Sequence, residues 1–162
     1  MMGVGKSTVG KKLAKKLKLK FVDADRVIEL KEKNTIKEIF KKKGEIYFRK
    51  VEKKIILEIL KKTDLVVALG GGAFMSRTVR KEIKKSCVSF WLDVNLNYLL
   101  YRLKNVTKRP LLNQDNLEET IKKIYSERKK IYNESNFKVK SNAKDLTQTV
   151  NKIIDLYEST RN

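Results

Sequence analysis

Apolar and polar positions along this chain of 162 residues follow two alternating periods, one helical and one extended. From Lys6 to Leu17 the residues Val9, Leu13, Ala14 and Leu17 recur at helical spacing, with lysines opposite. Phe21-Val22-Asp23-Ala24-Asp25 predicts a short strand ending in two carboxylates, and alternation sets Asp23 and Asp25 on one side of it. Thr35-Ile36-Lys37-Glu38 has the form of a capping box and starts a helix that stops near Gly44. Glu45 to Lys62 is a second helical run, with Phe48, Val51, Ile55 and Ile59 on one face. Leu65 to Leu69 is wholly apolar, as in a parallel strand covered on both faces, and runs straight into Gly70-Gly71-Gly72. A helix over about 77–85 and a strand over Val88 to Leu92 follow, then a helix over about 96–103. Next come a polar segment from Asn105 to Asn116, a helix to about Tyr132, a weak strand at Phe137 to Lys140 and a last helix from near Asp145. Strands alternating with helices predict an α/β fold around a parallel sheet, in a single domain over 1–162.

Composition narrows the chemistry. The chain has no histidine, which removes Ser-His triads and histidine metal sites. Cys87 is the only cysteine, so no intrachain disulfide forms and a reducing compartment, the cytoplasm, fits best. No apolar run approaches the ~20 residues of a membrane span. The net charge of +20 raises a nucleic-acid reading. However, the lysines recur on helical faces along the whole chain, and few aromatic residues interleave with them, which is the pattern of a solvated surface. Eight arginines stand against 31 lysines, so each arginine marks a candidate place for a planar, bidentate fork.

The candidate chemistry begins at the front. Gly3-Val4-Gly5-Lys6-Ser7-Thr8 reads as the later half of a phosphate-binding loop running into a helix. Its backbone N–H groups would cradle phosphates, Lys6 would reach the β- and γ-phosphates and Ser7 would offer its hydroxyl to Mg²⁺. The first glycine of a full loop would fall just before residue 1. The strand that launches such a loop is therefore expected to be missing, and the chain alone to be poorly soluble and nearly inactive. Asp23 and Asp25 could hold Mg²⁺ and accept a proton from a hydroxyl, although taken alone they serve equally as helix caps. Glu45, Arg49 and Glu52 share one helical face, either as a surface ion-pair row or as a rigidly held arginine meeting an anion. Three consecutive glycines, 70–72, expose backbone N–H groups and let a ligand approach the main chain. Arg109-Pro110-Leu111-Leu112 lies where a closing lid would be, with Arg109 over the transferring phosphoryl group. Arg128, between Glu127 and Lys129, reads by itself as surface.

In their order and spacing these strings resemble the shikimate kinases, from residue 1 to about Asn142. The resemblance rests on Gly3 to Gly10, Phe21 to Asp25, Ile39-Phe40, Gly44-Glu45, Phe48-Arg49, Gly70 to Ala73, and Arg109 to Leu112. It implies a P-loop kinase three-layer fold with sheet order 2-3-1-4-5, the first strand being the one absent. It also implies substrate-binding helices over about 30–62 and a lid over about 105–116. The implied reaction moves the γ-phosphoryl of ATP to the 3-hydroxyl of shikimate, with Mg²⁺, in aromatic amino-acid biosynthesis. By the same resemblance Asp25, Lys6 and Arg109 are catalytic. Asp25, Arg49, Gly70, Gly71, Gly72 and Arg128 would bind shikimate. Gly3, Val4, Gly5, Lys6, Ser7, Thr8, Arg102 and Arg109 would bind ATP, and Ser7 and Asp23 would position the metal. The family's basic residue near the adenine has no match at Asn142-Ala143-Lys144. A monomer without nucleic-acid or membrane partners is expected. The rival readings are a gluconate-type small-molecule kinase and a basic nucleic-acid-binding protein; Gly70 to Gly72 and Phe48-Arg49 weigh against the first.

Overall fold

The computed structural model describes residues 3–104, 116–141 and 145–160, apart from the side chains of Arg102, Lys104 and Leu117. Helix α1 (Lys6–Leu17) buries Val9, Gly10, Leu13 and Ala14 and turns its lysines outward, so its amphipathic stripe decides how it lies. It ends where Lys18 takes a left-handed conformation and its N–H reaches the carbonyls of Ala14 and Lys15. Strand β1 (Lys20–Asp23) passes directly into α2 (Ala24–Glu32). Helix α3 (Ile36–Ile59) starts at the predicted capping box, in which the Thr35 side chain accepts from the Glu38 N–H and the Glu38 side chain accepts from the Thr35 N–H. At Gly44, φ is 78° and ψ 172°, so the helix breaks where the sequence stops the first of two helical runs. Strand β2 (Leu65–Ala68), a 3₁₀ turn (Ala73–Met75), α4 (Arg77–Ser86) and β3 (Phe90–Asp93) follow. Then come α5 (Leu96–Lys104), α6 (Leu117–Tyr132), β4 (Phe137–Lys140) and α7 (Leu146–Glu158).

One of the sequence expectations changes. Asp25 does not continue the strand: it lies in the first turn of α2, because Asp23 caps that helix. The sheet is divided, in keeping with the expected order 2-3-1-4-5 without its first strand. Strand β1 pairs in parallel with β2, Lys20 opposite Leu65 through Asp23 opposite Ala68. Strand β3 pairs in parallel with β4, Phe90 opposite Phe137 through Asp93 opposite Lys140. Among the described residues, no strand joins the two pairs. A cavity of about 880 Å³ is bounded instead by Leu65, Val67 and Leu69 on one side, Phe90 and Leu92 on the other, and Leu13 of α1. The apolar run of β2 is therefore less covered than expected: Leu65, Val66 and Val67 are half-buried and only Ala68 is buried. The two pairs correspond to strands 2-3 and 4-5 of the expected order, with the cavity at the place of strand 1.

The core nevertheless continues around this cleft. Val4, Val9, Ile28, Phe48, Ile56, Val79, Trp91, Leu99, Ile121, Val139 and Val150 belong to one buried cluster. Helix α2 packs on α3, α1 on β2 and α7, and α5 on α6. The N-terminus of α1, the start of α2, the glycine turn after β2 and the middle of α6 carry the residues singled out above.

Candidate active site

Gly5 caps α1 with φ 84° and ψ 20°, a left-handed conformation that glycine adopts without strain. The orphan N–H groups of the first turn of α1 thus open toward the preceding loop, as an anion site requires. Val4 packs into the core at 4% exposure. A Cβ on Gly3 would stand 3.0–3.1 Å from side-chain atoms of Leu103 and Leu99, so α5 lies directly against the loop. Lys6 opens the helix and lines the cleft between β2 and β3, while Thr8 is exposed.

From Ser7 a short polar chain leads away from the loop. Its hydroxyl donates to Asp23 Oδ2 at 2.5 Å, and Asp23 Oδ1 accepts from the Asp25 N–H at 3.2 Å. Both aspartates therefore reach the site as the sequence led us to expect, though by helix capping and not by strand alternation. A hydroxyl and a carboxylate oxygen side by side suit Mg²⁺, a hard cation that takes few protein oxygens and completes its shell with phosphate and water.

A second, charged constellation surrounds the glycine turn. A cavity of about 630 Å³ is lined by Glu45, Arg49, Glu52, Gly72, Met75 and Arg128, among others. Arg49 is gripped on both sides. Its Nε and Nη2 donate to Glu45 Oε1 at 3.1 and 3.0 Å, and its Nη1 donates to Glu52 Oε2 at 2.7 Å. Burial lowers the affinity of the Arg49 guanidinium for its proton, but the pairs with Glu52 and Glu45 outweigh that and hold its pKa above the usual value. Glu52 is 4% exposed, and burial pushes its carboxyl above the ordinary range against the pull of Arg49.

Two of the glycines leave room for these charges. A Cβ on Gly72 would collide with the Arg49 guanidinium, and one on Gly70 would stand 2.5 Å from Asp25 Oδ1 and 3.0 Å from Glu52 Oε1. The carbonyl of Gly71 accepts from Arg128 Nη1 at 2.9 Å and from the Tyr132 hydroxyl. Arg128, which reads as surface in the sequence, is thereby turned inward. Arg80 secures the turn from behind, its Nη1 donating to the carbonyls of Phe74 and Met75 at 2.9 and 2.8 Å.

Asp25, Arg49, Gly70, Gly71, Gly72 and Arg128 thus come together, and Ser7 and Asp23 meet at the loop. Arg109 and the lid residues 105–115 lie outside the described residues, as do 142–144 and the side chain of Arg102. Arg26, by contrast, lies at the surface and pairs with the half-buried Glu29 at 3.7 Å. Two residues of the site carry no motif. Glu52 is marked only by its place three residues after Arg49, and Tyr132 only by standing one helical turn after Arg128.

A family model described as shikimate kinase matches residues 2–158. Among curated proteins, the chain is 47% identical over 153 residues to a shikimate kinase of Sulfurihydrogenibium sp., covering 94% of this chain and 91% of the relative. It is 38% identical over 169 residues to the shikimate kinase of Bartonella henselae, covering 100% of this chain and 80% of the relative. Among solved structures, the shikimate kinase from Acinetobacter baumannii in complex with shikimate superposes with a TM-score of 0.93 at 32% identity, covering 98% of this chain and 89% of that one. The Aquifex aeolicus shikimate kinase gives 0.87 at 34% identity, covering 99% and 94%. With the family model spanning nearly its whole length and these relatives matching both sequence and fold, the chain belongs to the shikimate kinase family.

Proposed function

We propose that this chain transfers the γ-phosphoryl group of ATP to the 3-hydroxyl of shikimate, giving shikimate 3-phosphate and ADP. The observation that carries the reading is the convergence of Arg49 and Arg128 on the glycine turn beside Asp25, itself linked through Asp23 to Ser7 of the phosphate loop. Arg49 and Arg128 bind the substrate carboxylate, two forks for one planar anion. Asp25 and the Gly70–Gly72 main chain take the ring hydroxyls. Asp25 orients the 3-hydroxyl and accepts its proton as the oxygen attacks phosphorus in line and the bond to the β-phosphate oxygen breaks.

On the nucleotide side the loop Gly3 to Thr8 and Lys6 hold the phosphates, Arg109 closes over them from the lid at about 105–116, and Arg102 lies along the adenine. Mg²⁺, held by Ser7 and Asp23, would neutralise phosphate charge. Residues of about 30–62 form the acid-binding helices of a single domain. The enzyme acts as a cytoplasmic monomer, without nucleic-acid or membrane partners; among the described residues no helix is long and apolar enough to cross a membrane. ADP release measured with shikimate, with gluconate and with neither tests the reading. Release that depends on shikimate alone is the expected result. Equal release in all three, or release with gluconate only, would refute it.

A further inference from the structure

The Gly71 carbonyl receives two donors from one helix, Arg128 and Tyr132, four residues apart on α6. Such doubling is informative because one of the donors has another task. If Arg128 binds the substrate carboxylate, as the proposed function holds, its Nη1 must leave Gly71 or be shared with the ligand. A carbonyl abandoned in a half-buried turn would then oppose substrate binding. Tyr132 removes that opposition. It is 6% exposed, with its ring centroid 6.4 Å from that of Phe74 and 5.8 Å from that of Trp91, so packing fixes its hydroxyl. Burial also holds the hydroxyl above the usual tyrosine pKa, more than Arg128 lowers it.

We infer that Tyr132 is a positioning residue for the acid site: its hydroxyl holds the Gly71 carbonyl and so frees Arg128 for the substrate carboxylate. The glycine turn then keeps one conformation in the free and the loaded enzyme, and Gly72 stays against Arg49. This inference rests on the assignment of Arg128 to the carboxylate.

Tyr132→Phe keeps the ring between Phe74 and Trp91 and removes only the hydroxyl. The dissociation constants for shikimate and ATP, and kcat, are measured for the wild type, Tyr132→Phe, Arg128→Lys and the double variant. Tyr132→Phe should weaken shikimate binding on the order of ten-fold. ATP binding should stay within two-fold, which also shows that the variant is folded. In the Arg128→Lys background the same change should alter shikimate binding by less than two-fold, because the competition it relieves is already gone. Unchanged shikimate binding in Tyr132→Phe, an equal loss in both backgrounds, or parallel loss of both ligands would overturn the inference while leaving the kinase reading intact. A wild type that binds ATP but not shikimate would overturn both.

Discussion

The acid pocket and the middle of the sheet are held together in opposite ways. In the pocket, Arg49 is fixed by Glu45 and Glu52 on its own helix, and Arg128 and Tyr132 reach one carbonyl from a single helical turn. The Arg49 pairs are local in sequence, whereas the two bonds to Gly71 tie α6 to the glycine turn across 57 and 61 positions. Between β2 and β3, each strand has one partner among the described residues and one edge facing a cavity of about 880 Å³, which Val4 and Lys6 also line. Unpaired strand edges are the weakest part of a parallel sheet and a template for aggregation. On the proposed function the difference separates two ligands: the glycine turn is held by several side-chain bonds, whereas the phosphate loop stands at the end of the cleft.

The largest effect should come from filling the cleft. An extended apolar segment fused ahead of Gly3 would bury about five side chains at ~1.5–3 kcal/mol each and pair both edges. Calorimetry should show a melting temperature raised by more than ~10 °C. ATP binding and turnover should rise with it, and shikimate binding should hardly move. An unchanged melting temperature would mean that the cleft is not the weak region.

Asp25 stands where the two regions meet. Asp25→Asn should lower kcat by ~100-fold or more while changing either Michaelis constant by only a few-fold, because the carboxylate acts mainly in the transition state. Survival of turnover within a few-fold would make Asp25 a spectator. Arg49→Lys keeps the charge but loses the fork, and should weaken shikimate binding by ~1.5–3 kcal/mol with ATP affinity unchanged. Titration of both ligands decides this, and equal losses would remove Arg49 from the acid side.

The smallest effect concerns Glu52. Its folded-state pKa lies above the ordinary 4.5, so the unfolded chain gives up this proton first as pH rises. Stability contributed by the group is thus present at low pH and lost as pH climbs from 4.5 through the folded value. Relative to Glu52→Gln, the wild type should gain melting temperature as pH falls through that window. A gap independent of pH would show that burial does not penalise the carboxylate.

Much of this was legible in the chain because the signals are local. The capping box at Thr35 and Glu38, the break at Gly44 and the apolar runs at 65–69 and 88–92 each announce themselves within a few residues. The phosphate loop and Gly70 to Gly72 are equally compact. What escaped depends on tertiary contact. Asp23 both ends β1 and caps α2, and the fully buried Ala24 and Ile28 pack the helix that takes Asp25 out of the strand. Arg128 sits in a run of charges, and nothing nearby says that Gly71 lies beside it, 57 positions away in sequence. For Glu52 the sequence leaves open a surface row or a rigid grip on Arg49, and only its burial in α3 favours the second.

The central claim is the transfer itself, and phosphorus NMR of the chain incubated with ATP, Mg²⁺ and shikimate tests it most directly. The account predicts a new phosphomonoester signal, assigned by proton coupling to the 3-position of shikimate, growing in step with ADP and requiring Asp25. ATP consumed to inorganic phosphate without that ester, or an ester at another hydroxyl, would contradict it.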